Sequence, residues 1–262
     1  NNIIGSKIDF TSNYFYNHYN PKTASNIVRQ YILPDSSYFY NQNSLNNNIN
    51  NSHRLNLGFD YVIDSFHSLK VSPSLGYQQT KNNSLSDYQQ LGSDGRQSNN
   101  GYSHSISNST GYNFRNDLLF RKKFRRRGRT FSLSLQTTLN NSDGDGSLES
   151  VNEFFTRGGT GSQTDTIDQR FTNKSDLYGY NAKAVYTEPI FKRSLLEFSL
   201  GKSNNRSTAE KITYDLNDLN GKYDQLNDSL TNDFENTYGF ANAGIRVRTK
   251  KKKYNYAVGL SW

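Results

Sequence analysis

Apolar and polar residues alternate with a period of two along much of the chain. From Arg54 to Tyr61, for example, leucine or an aromatic residue fills every odd position, and polar residues or glycine fill the even ones. Side chains on a β-strand point alternately to its two faces, so this period predicts a strand with one apolar and one polar face. Helical spacing is hard to find, and the sequence therefore predicts an all-β protein. The alternation recurs in about nine segments, near residues 8–16, 54–61, 69–77, 112–120, 131–139, 178–186, 196–200, 241–247 and 254–262.

The links between these segments alternate in length. Long links, most of them rich in Asn, Ser, Asp and Gly, occupy residues 20–50, 81–108, 141–174 and 207–235, and short links occupy 63–67, 121–129, 187–194 and 249–253. Membrane barrels have this asymmetry, with short periplasmic turns and long extracellular loops. A soluble sandwich has no reason to place every long loop at one end. The pattern therefore predicts an antiparallel transmembrane β-barrel, and a secreted soluble β-sandwich that binds glycans is the alternative.

About nine strands is an odd number, whereas bacterial barrels usually have an even one. We therefore expect residues 1–262 to form a single partial β-barrel domain, an arc of a larger barrel. The chain opens at Asn1 and contains no Met, which fits the expectation of a fragment. Such an arc has two unpaired sheet edges, so we expect it to aggregate when it is isolated.

The two faces of the predicted strands have different expected environments, lipid outside and a water-filled or plugged lumen inside. For the lumen-facing charges, simple solvation without a specific ligand is the favoured interpretation. The lumen-facing candidates are Arg54, Asp60, Lys70, Arg115, Asp117, Lys183 and Glu197. The predicted lipid-facing residues are Leu55, Leu57, Phe59, Leu69, Val71, Leu75, Phe131, Leu133, Leu135, Phe198, Leu200, Val258 and Leu260.

Aromatic residues flank the predicted strands at both ends. Two belts of amphipathic rings at the borders of an apolar band are typical of a membrane interface, although tyrosine also has a high β-propensity of its own. The belt beside the short turns comprises Tyr61, Phe120, Tyr186 and Tyr254, and the belt toward the long links comprises Tyr77, Tyr112 and Tyr178.

Composition narrows the possible classes. Hydrophobic residues are only 32% and the mean hydropathy is −0.89, yet 14% of residues are aromatic, which is unlike a disordered chain. No apolar run of about 20 residues is present, so no transmembrane helix is expected. Because cysteine is absent, disulfides, Cys-ligated zinc and thiol nucleophiles are excluded. We expect no enzymatic activity and no cofactor.

Basic residues are concentrated in the short links. The runs Arg121–Arg129 and Lys250–Lys253 account for much of the net charge of +8 and the isoelectric point of 9.4. Such runs alone would suggest a nucleic-acid patch. Both lie in predicted turns between amphipathic strands, as do Lys192 and Arg193. We therefore expect solvated turns that meet lipid phosphates or periplasmic partners, and no nucleic acid.

A partial calcium-loop pattern begins in the third long link. Asn141, Asp143 and Asp145 place oxygen ligands at alternate positions, with a glycine for the turn. The pattern lacks Asp at its first position and the bidentate Glu at its twelfth, so a flexible acidic loop is the favoured interpretation and calcium a weak one. The four histidines have no metal spacing. Exposed aromatics of the long links would stack on a sugar or nutrient, or pack the loops: Tyr38, Phe39, Tyr40, Phe154 and Phe155.

Several segments are similar to a known family. The stretches Tyr14–Asn20, Arg29–Ser37 and Asp60–Phe66, and the basic turn Arg121–Arg129 ahead of Thr130–Leu133, resemble the outer-membrane β-barrel family of Bacteroidota that is related to TonB-dependent receptors. The resemblance covers most of the chain, but its motifs are structural and carry no chemistry. It implies a complete protein with a periplasmic carboxypeptidase-like module, a plug domain and about 22 strands. Neither plug nor energy-coupling box is found in this sequence.

The resemblance implies a role at the cell outer membrane. We expect a barrel segment of a TonB-dependent-receptor-like protein, a scaffold for nutrient uptake or ligand binding at the cell surface. Its implied partners are outer-membrane lipid, an unknown extracellular ligand, and, in the full-length parent, a plug domain and TonB-type energy coupling. A non-transporting surface or adhesion barrel is the alternative.

Overall fold

The regular structure of the chain is entirely extended. The computed structural model describes residues 2–4, 7–34, 36–156, 161–251 and 254–262, and within these ranges it contains β-strands and turns but no helix, which confirms the all-β prediction. In the described ranges no helix exists that is long and apolar enough to cross a membrane. The twelve strands are β1 (Asn2–Ile4), β2 (Ile8–Tyr19), β3 (Lys22–Leu33), β4 (Ser36–Val62), β5 (His67–Gly92), β6 (Gln97–Lys123), β7 (Thr130–Phe155), β8 (Ser162–Phe191), β9 (Ser194–Asn217), β10 (Lys222–Leu226), β11 (Asn232–Lys250) and β12 (Asn255–Ser261).

All twelve strands belong to one antiparallel sheet that meanders in chain order and does not close. From β4 to β9 each strand pairs with the next one in the sequence, and β11 and β12 complete the row. β2 and β3 share one edge of β4, where β2 pairs with Asn50–Tyr61 and β3 pairs with Ser36–Asn47. β10 similarly continues the edge of β9 that β11 occupies. This arrangement is an open arc.

The register keeps apolar residues opposite apolar residues across the central strands. Leu55 pairs with Leu75, Leu75 with Phe114, Phe114 with Leu139, and Leu139 with Tyr178. A slip of one residue would turn a strand's apolar set to the opposite face, so this register is strongly specified. We call the face with the odd residues of β4, β5, β7 and β11 and the even residues of β2, β6, β8, β9 and β12 the apolar face. The opposite face is the polar face.

The long strands exceed what a membrane crossing requires. β4 to β9 have 24 to 30 residues each, whereas a crossing strand needs only about 9–11. On β7 the apolar alternation covers Phe131–Leu139. The polar remainder, Asn140–Phe155, stays paired with both neighbouring strands and extends for about 50 Å at ~3.4 Å per residue.

The prediction of long loops is therefore wrong for most of residues 20–50, 81–108, 141–174 and 207–235. These segments are strands of paired hairpins, with turns such as 93–96 at their tips. Polar residues outnumber apolar ones on both faces of most of these extensions, so the regular hydropathy period that marks the lower strands is missing. Backbone ladder bonds hold the strands together without a hydropathy signature. Twelve strands replace the predicted count of about nine, the additions being β1, β3 and β10. Of these, β3 and β10 lie in the predicted long loops, and β1 is a strand of three residues.

The short turns agree more closely with the sequence pattern. They comprise residues 63–66, 124–129 and 192–193, and β11 ends at Lys250 before β12 begins at Asn255. In the first turn the Asp64 carboxylate accepts hydrogen bonds from the backbone N–H groups of Phe66 and His67 at 2.7 and 2.8 Å. In the second turn Gly128 has φ of 90°, a conformation that strongly favours glycine.

The sheet has no apolar core. Among the described residues no hydrophobic side chain is buried, and the chain exposes 18272 Å². A compact monomer of the same mass exposes about 11,700 Å². The excess arises because neither face of the sheet is covered by another layer of this chain. Backbone pairing and cross-strand contacts hold the arc together, and its apolar face is left open.

Candidate functional site: an apolar band between a basic and an acidic end

The apolar face carries a band of large exposed side chains. All thirteen residues predicted to face lipid lie on this face, on β4, β5, β7, β9 and β12. Leu75 is 47% exposed, Leu200 64% and Leu260 74%. Exposed apolar patches of this extent mark a surface that meets another apolar phase or partner.

The height of the band is set by the strand geometry. On β5 the alternation runs from Leu69 to Tyr77, and on β7 from Phe131 to Leu139. Eight residue steps correspond to about 27 Å along a strand, and a tilt of ~40° reduces this to about 21 Å. The outward apolar band of membrane barrels is about 25 Å tall. The two heights are similar.

Lys202 is an exception on this face. It lies on β9 opposite Ala182 of β8 and Ala241 of β11, and it is exposed. The two small neighbours leave room for its aliphatic stem to extend along the surface toward a polar border. The short alternation at 196–200 gave no indication of a charge on this side of the sheet.

An aromatic row borders the band on the side of the hairpin tips. It crosses four strands through Tyr16, His53, Tyr77 and Tyr112, with ring centroids 4.8, 6.1 and 5.0 Å apart in that order. The Tyr14 hydroxyl also lies 2.6 Å from His53 Nδ1. The sequence placed Tyr77 and Tyr112 in this belt. His53, which links them to β2, was missed, although its odd position on β4 is the signal that would have found it.

Aromatic residues also border the band on the turn side. Tyr61 and Phe120 both pair with Leu69, so they flank β5 in one row. Tyr186 pairs with Phe131 and Phe198. Phe120 pairs with Leu133 and not with Phe131, so the predicted turn-side belt shifts by two residues toward the turns between β6 and β7.

The polar face carries the predicted lumen-facing residues. All seven lie on this face, between the turns and the aromatic row. Lys70 Nζ is 2.9 Å from Asp60 Oδ2, and Arg115 Nε is 3.3 Å from Asp117 Oδ2. Both pairs are about half exposed, so they contribute little to stability.

Two of these residues also line a groove. Arg54 and Arg115 line a groove of about 600 Å³ together with Asn56, Ser74 and Asn113. The Ser74 hydroxyl donates to Asn56 Oδ1 at 2.6 Å. Lys183 pairs with Ser134 and Gly201 and lies outside this groove, as does Glu197. Polar and charged side chains are therefore spread over this part of the polar face.

A single carboxylate organises the basic turn between β6 and β7. Glu188, two residues beyond Tyr186, accepts two hydrogen bonds from the Arg129 guanidinium at 2.7 and 2.8 Å and one from Arg126 at 2.8 Å. The Tyr186 hydroxyl donates a fourth at 2.6 Å. The bonds from Arg129 and Tyr186 lower the pKa of Glu188 to about 2. We call this group the Glu188 clasp.

The basic links, which are far apart in the sequence, converge on one groove at the turn end. Its volume is about 970 Å³, and Pro189, Ile190, Phe191 and Leu195 form its apolar wall. None of the described residues that line it is acidic. The basic residues that line it are Arg126, Arg127, Lys192, Arg193, Lys250 and Lys251. The rest of the second run, Lys252 and Lys253, lies outside the described residues.

The calcium candidates lie on a strand, and the expectation of a flexible acidic loop is wrong. Asn141, Asp143 and Asp145 occupy alternate positions of β7, and Asn141 Nδ2 donates to Asp176 Oδ1 at 2.8 Å. Alternate side chains on a strand lie about 7 Å apart, too far to share a cation bound at 2.3–2.6 Å. Within the described ranges no three His, Cys, Asp or Glu residues could hold a metal ion together.

The predicted loop aromatics belong to the paired hairpin extensions. Tyr38 stacks on Tyr31 with centroids 4.6 Å apart, and Tyr40 stacks on Tyr88 at 5.6 Å. The other three, Phe39, Phe154 and Phe155, also lie on strands. Cross-strand aromatic pairs of this kind stabilise the sheet.

No protein-family model matches the chain, and no curated protein matches it either. Two similar solved structures are the ferric-catecholate import receptor Fiu from E. coli K12 in a closed form and the copper transporter OprC. Fiu has a TM-score of 0.29 and 7% identity, and the match covers 97% of this chain and 50% of that one. OprC has a TM-score of 0.24 and 7% identity, with 97% and 45% covered. The chain thus spans about half the length of each structure.

Proposed function

We propose that the chain forms part of the wall of an outer-membrane β-barrel. Its apolar face contacts lipid, and its polar face lines the lumen. One observation carries this proposal: an amphipathic sheet whose apolar face is exposed, while no described hydrophobic residue is buried. Lipid is the apolar phase that covers such a face without a second protein layer.

Three features favour lipid over the second sheet of a soluble sandwich. The apolar band has the height of a membrane crossing, and rows of aromatic residues border it on both sides. The opposite face carries Asp60–Lys70 and Arg115–Asp117 pairs, which suit a wet lumen. A sandwich would instead require a second apolar sheet, and the described strands all belong to the first.

The parent protein, in this proposal, is a TonB-dependent-receptor-like protein for nutrient uptake or ligand binding. The residue resemblance to the Bacteroidota family supports this step. A plug domain would then seat against the polar face, and TonB-type coupling would drive transport. The role of this segment is to anchor the barrel and to raise the hairpin extensions above the membrane, without catalysis.

A non-transporting surface or adhesion barrel is the second candidate. The paired extensions favour it, because about 50 Å of ordered sheet beyond the band is a stable platform for contact with another surface. Ligand-dependent uptake by cells that carry the full gene, lost when its upstream region is deleted, would support transport over adhesion.

Fractionation of cells that express the full open reading frame tests the barrel. We expect extraction from the outer membrane by detergent and a heat-modifiable gel mobility. A protein that is soluble and monomeric without detergent would contradict the proposal and favour the sandwich.

Tryptophan reporters test which face meets lipid. Trp262 is the single tryptophan of the chain, so it is first replaced by Phe. Leu133→Trp and its neighbour Ser134→Trp then place a reporter at one depth on opposite faces. Brominated acyl chains should quench the fluorescence of the Leu133→Trp variant strongly and leave the Ser134→Trp variant nearly unquenched. Equal quenching would contradict the assignment of faces.

A further inference from the structure

We infer that the groove at the turn end binds the phosphate headgroup of an acidic glycerophospholipid. This inference rests on the proposed function, because it requires the apolar band to lie in a bilayer. It assigns the basic turns a specific ligand in place of general solvation.

The first argument is the convergence of like charges. Six basic side chains from three hairpins, β6–β7, β8–β9 and β11–β12, line one groove without a carboxylate among its described lining residues. The nearby Glu188 is already occupied by Arg129, Arg126 and Tyr186. Cations held this close repel one another unless an anion enters between them. Phosphate oxygens accept hydrogen bonds from both guanidinium and ammonium groups.

The second argument is the apolar wall of the same groove. Ile190, Phe191 and Leu195 lie among the basic residues, and Phe191 is 74% exposed. Free phosphate or a nucleic-acid backbone would leave these side chains in water. A phospholipid presents an anionic headgroup joined to acyl chains, so it covers both kinds of surface. On β8 the groove begins at Pro189, three residues beyond Tyr186 of the turn-side aromatic belt, at the level where headgroups lie.

The third argument is the distribution of charge along the strands. Position 7 and segments 63–67, 121–129, 187–195 and 250–251 contain twelve basic residues and two carboxylates. The described parts of segments 20–50, 81–108, 141–176 and 207–235 contain sixteen carboxylates and eight basic residues. The basic end is therefore a local feature of the turns, which lie against one leaflet.

Native mass spectrometry of the detergent-solubilised full-length protein tests the inference. The probes are phosphatidylglycerol, phosphatidylcholine and inorganic phosphate. We expect phosphatidylglycerol to be retained at least tenfold more strongly than phosphatidylcholine, and its retention to fall with added salt. Equal retention of the two lipids, or displacement of phosphatidylglycerol by millimolar phosphate, would overturn the inference.

Variants locate the binding site. Replacing Lys192, Arg193, Lys250 and Lys251 by Ala should reduce phosphatidylglycerol binding at least tenfold, since each basic residue near an anionic surface accounts for about a fivefold change. The matched control removes four exposed basic residues on the tip side of the aromatic row, Lys22, Lys81, Arg96 and Lys222. The control should bind like the wild type, and an equal loss in both variants would overturn the inference.

The experiment separates this inference from the barrel proposal. Heat-modifiable mobility reports whether each protein has folded as a barrel. A folded barrel without preference for phosphatidylglycerol overturns the lipid site and leaves the barrel intact, whereas a wild-type protein that never enters detergent micelles overturns the barrel proposal. If the fourfold variant does not fold, the inference is tested with the Lys250→Ala, Lys251→Ala double variant and with the salt dependence of phosphatidylglycerol binding to the wild type.

Discussion

The sharpest prediction for the apolar band is that the cost of introducing a charge depends on its depth in the bilayer. Leu135 lies at the centre of the β7 alternation, four residues from both Phe131 and Leu139. Each step is about 3.4 Å, so at a tilt of ~40° Leu135 lies about 10 Å from either border of the band. Replacing it by Arg should lower the free energy of unfolding in lipid vesicles by about 2–4 kcal/mol. Phe131→Arg and Leu139→Arg, at the borders, should cost about 0–1 kcal/mol for the charge.

Gln136→Arg is the matched control, because it adds the same side chain one residue away on the polar face. It should cost much less than Leu135→Arg. Urea titration of the protein refolded into phosphatidylcholine vesicles, followed by heat-modifiable gel mobility, gives all four free energies.

Three results would refute this reasoning. If Gln136→Arg costs as much as Leu135→Arg, the two faces do not differ in environment. If Leu135→Arg unfolds the protein equally well in water without lipid, the residue is buried in protein and the sandwich is favoured. A cost that does not fall from Leu135 toward Leu139 would likewise contradict the assigned depth.

Three further predictions concern the turns and the aromatic row. The pKa of Glu188 is lowered to about 2, so the ionised carboxylate of the clasp stabilises the β6–β7 turn fully above pH 4.5. The protection of the turn amides from hydrogen exchange should therefore fall as the pH drops from 4.5 toward 2. Glu188→Gln should show weak protection at every pH, and a wild-type profile that is flat down to pH 2 would argue against the clasp. Gly128→Ala should destabilise the protein by about 1–2 kcal/mol because φ at this position is positive, and Gly128→Asn should cost less. Equal costs of the two variants in thermal unfolding would show that the space beside Leu195 matters more than the backbone conformation. Tyr77→Ala should cost about 0.5–1.5 kcal/mol beyond the lost area, and a double-mutant cycle with Tyr112→Ala should recover that coupling, whereas additive costs would contradict the contact.

The sequence predicted the part of each strand in which the two faces differ. Period-two alternation from Leu55 to Tyr61 and from Leu69 to Tyr77 located β4 and β5 and assigned their faces. The extensions left no such signal. Asn82 to Ser84 pair with Ser105 to Ser107 through backbone ladders, which do not require alternating apolar side chains. Hydropathy reveals a strand only where one face leaves water.

The sequence predicted the basic turns of the candidate site but not that they meet in one groove. Each basic link was recognised as a turn, yet their meeting depends on register and on the order β7–β8–β9–β11, which a single sequence does not specify. The Glu188 clasp was missed because its carboxylate is 59 positions from Arg129. The calcium pattern at Asn141–Asp145 failed for a conformational reason, since a ligating loop must curl and a strand cannot.

The paired extensions have a mechanical consequence. Because β4 to β9 remain hydrogen-bonded to neighbouring strands over most of their length, the part of the sheet beyond the band behaves as one stiff unit and not as a set of independent hairpins. No single hairpin of this sheet could bend away without breaking the ladders to both of its neighbours at once. The paired strands should also offer few flexible peptide bonds to a protease. Any movement at the tips must therefore involve neighbouring hairpins together.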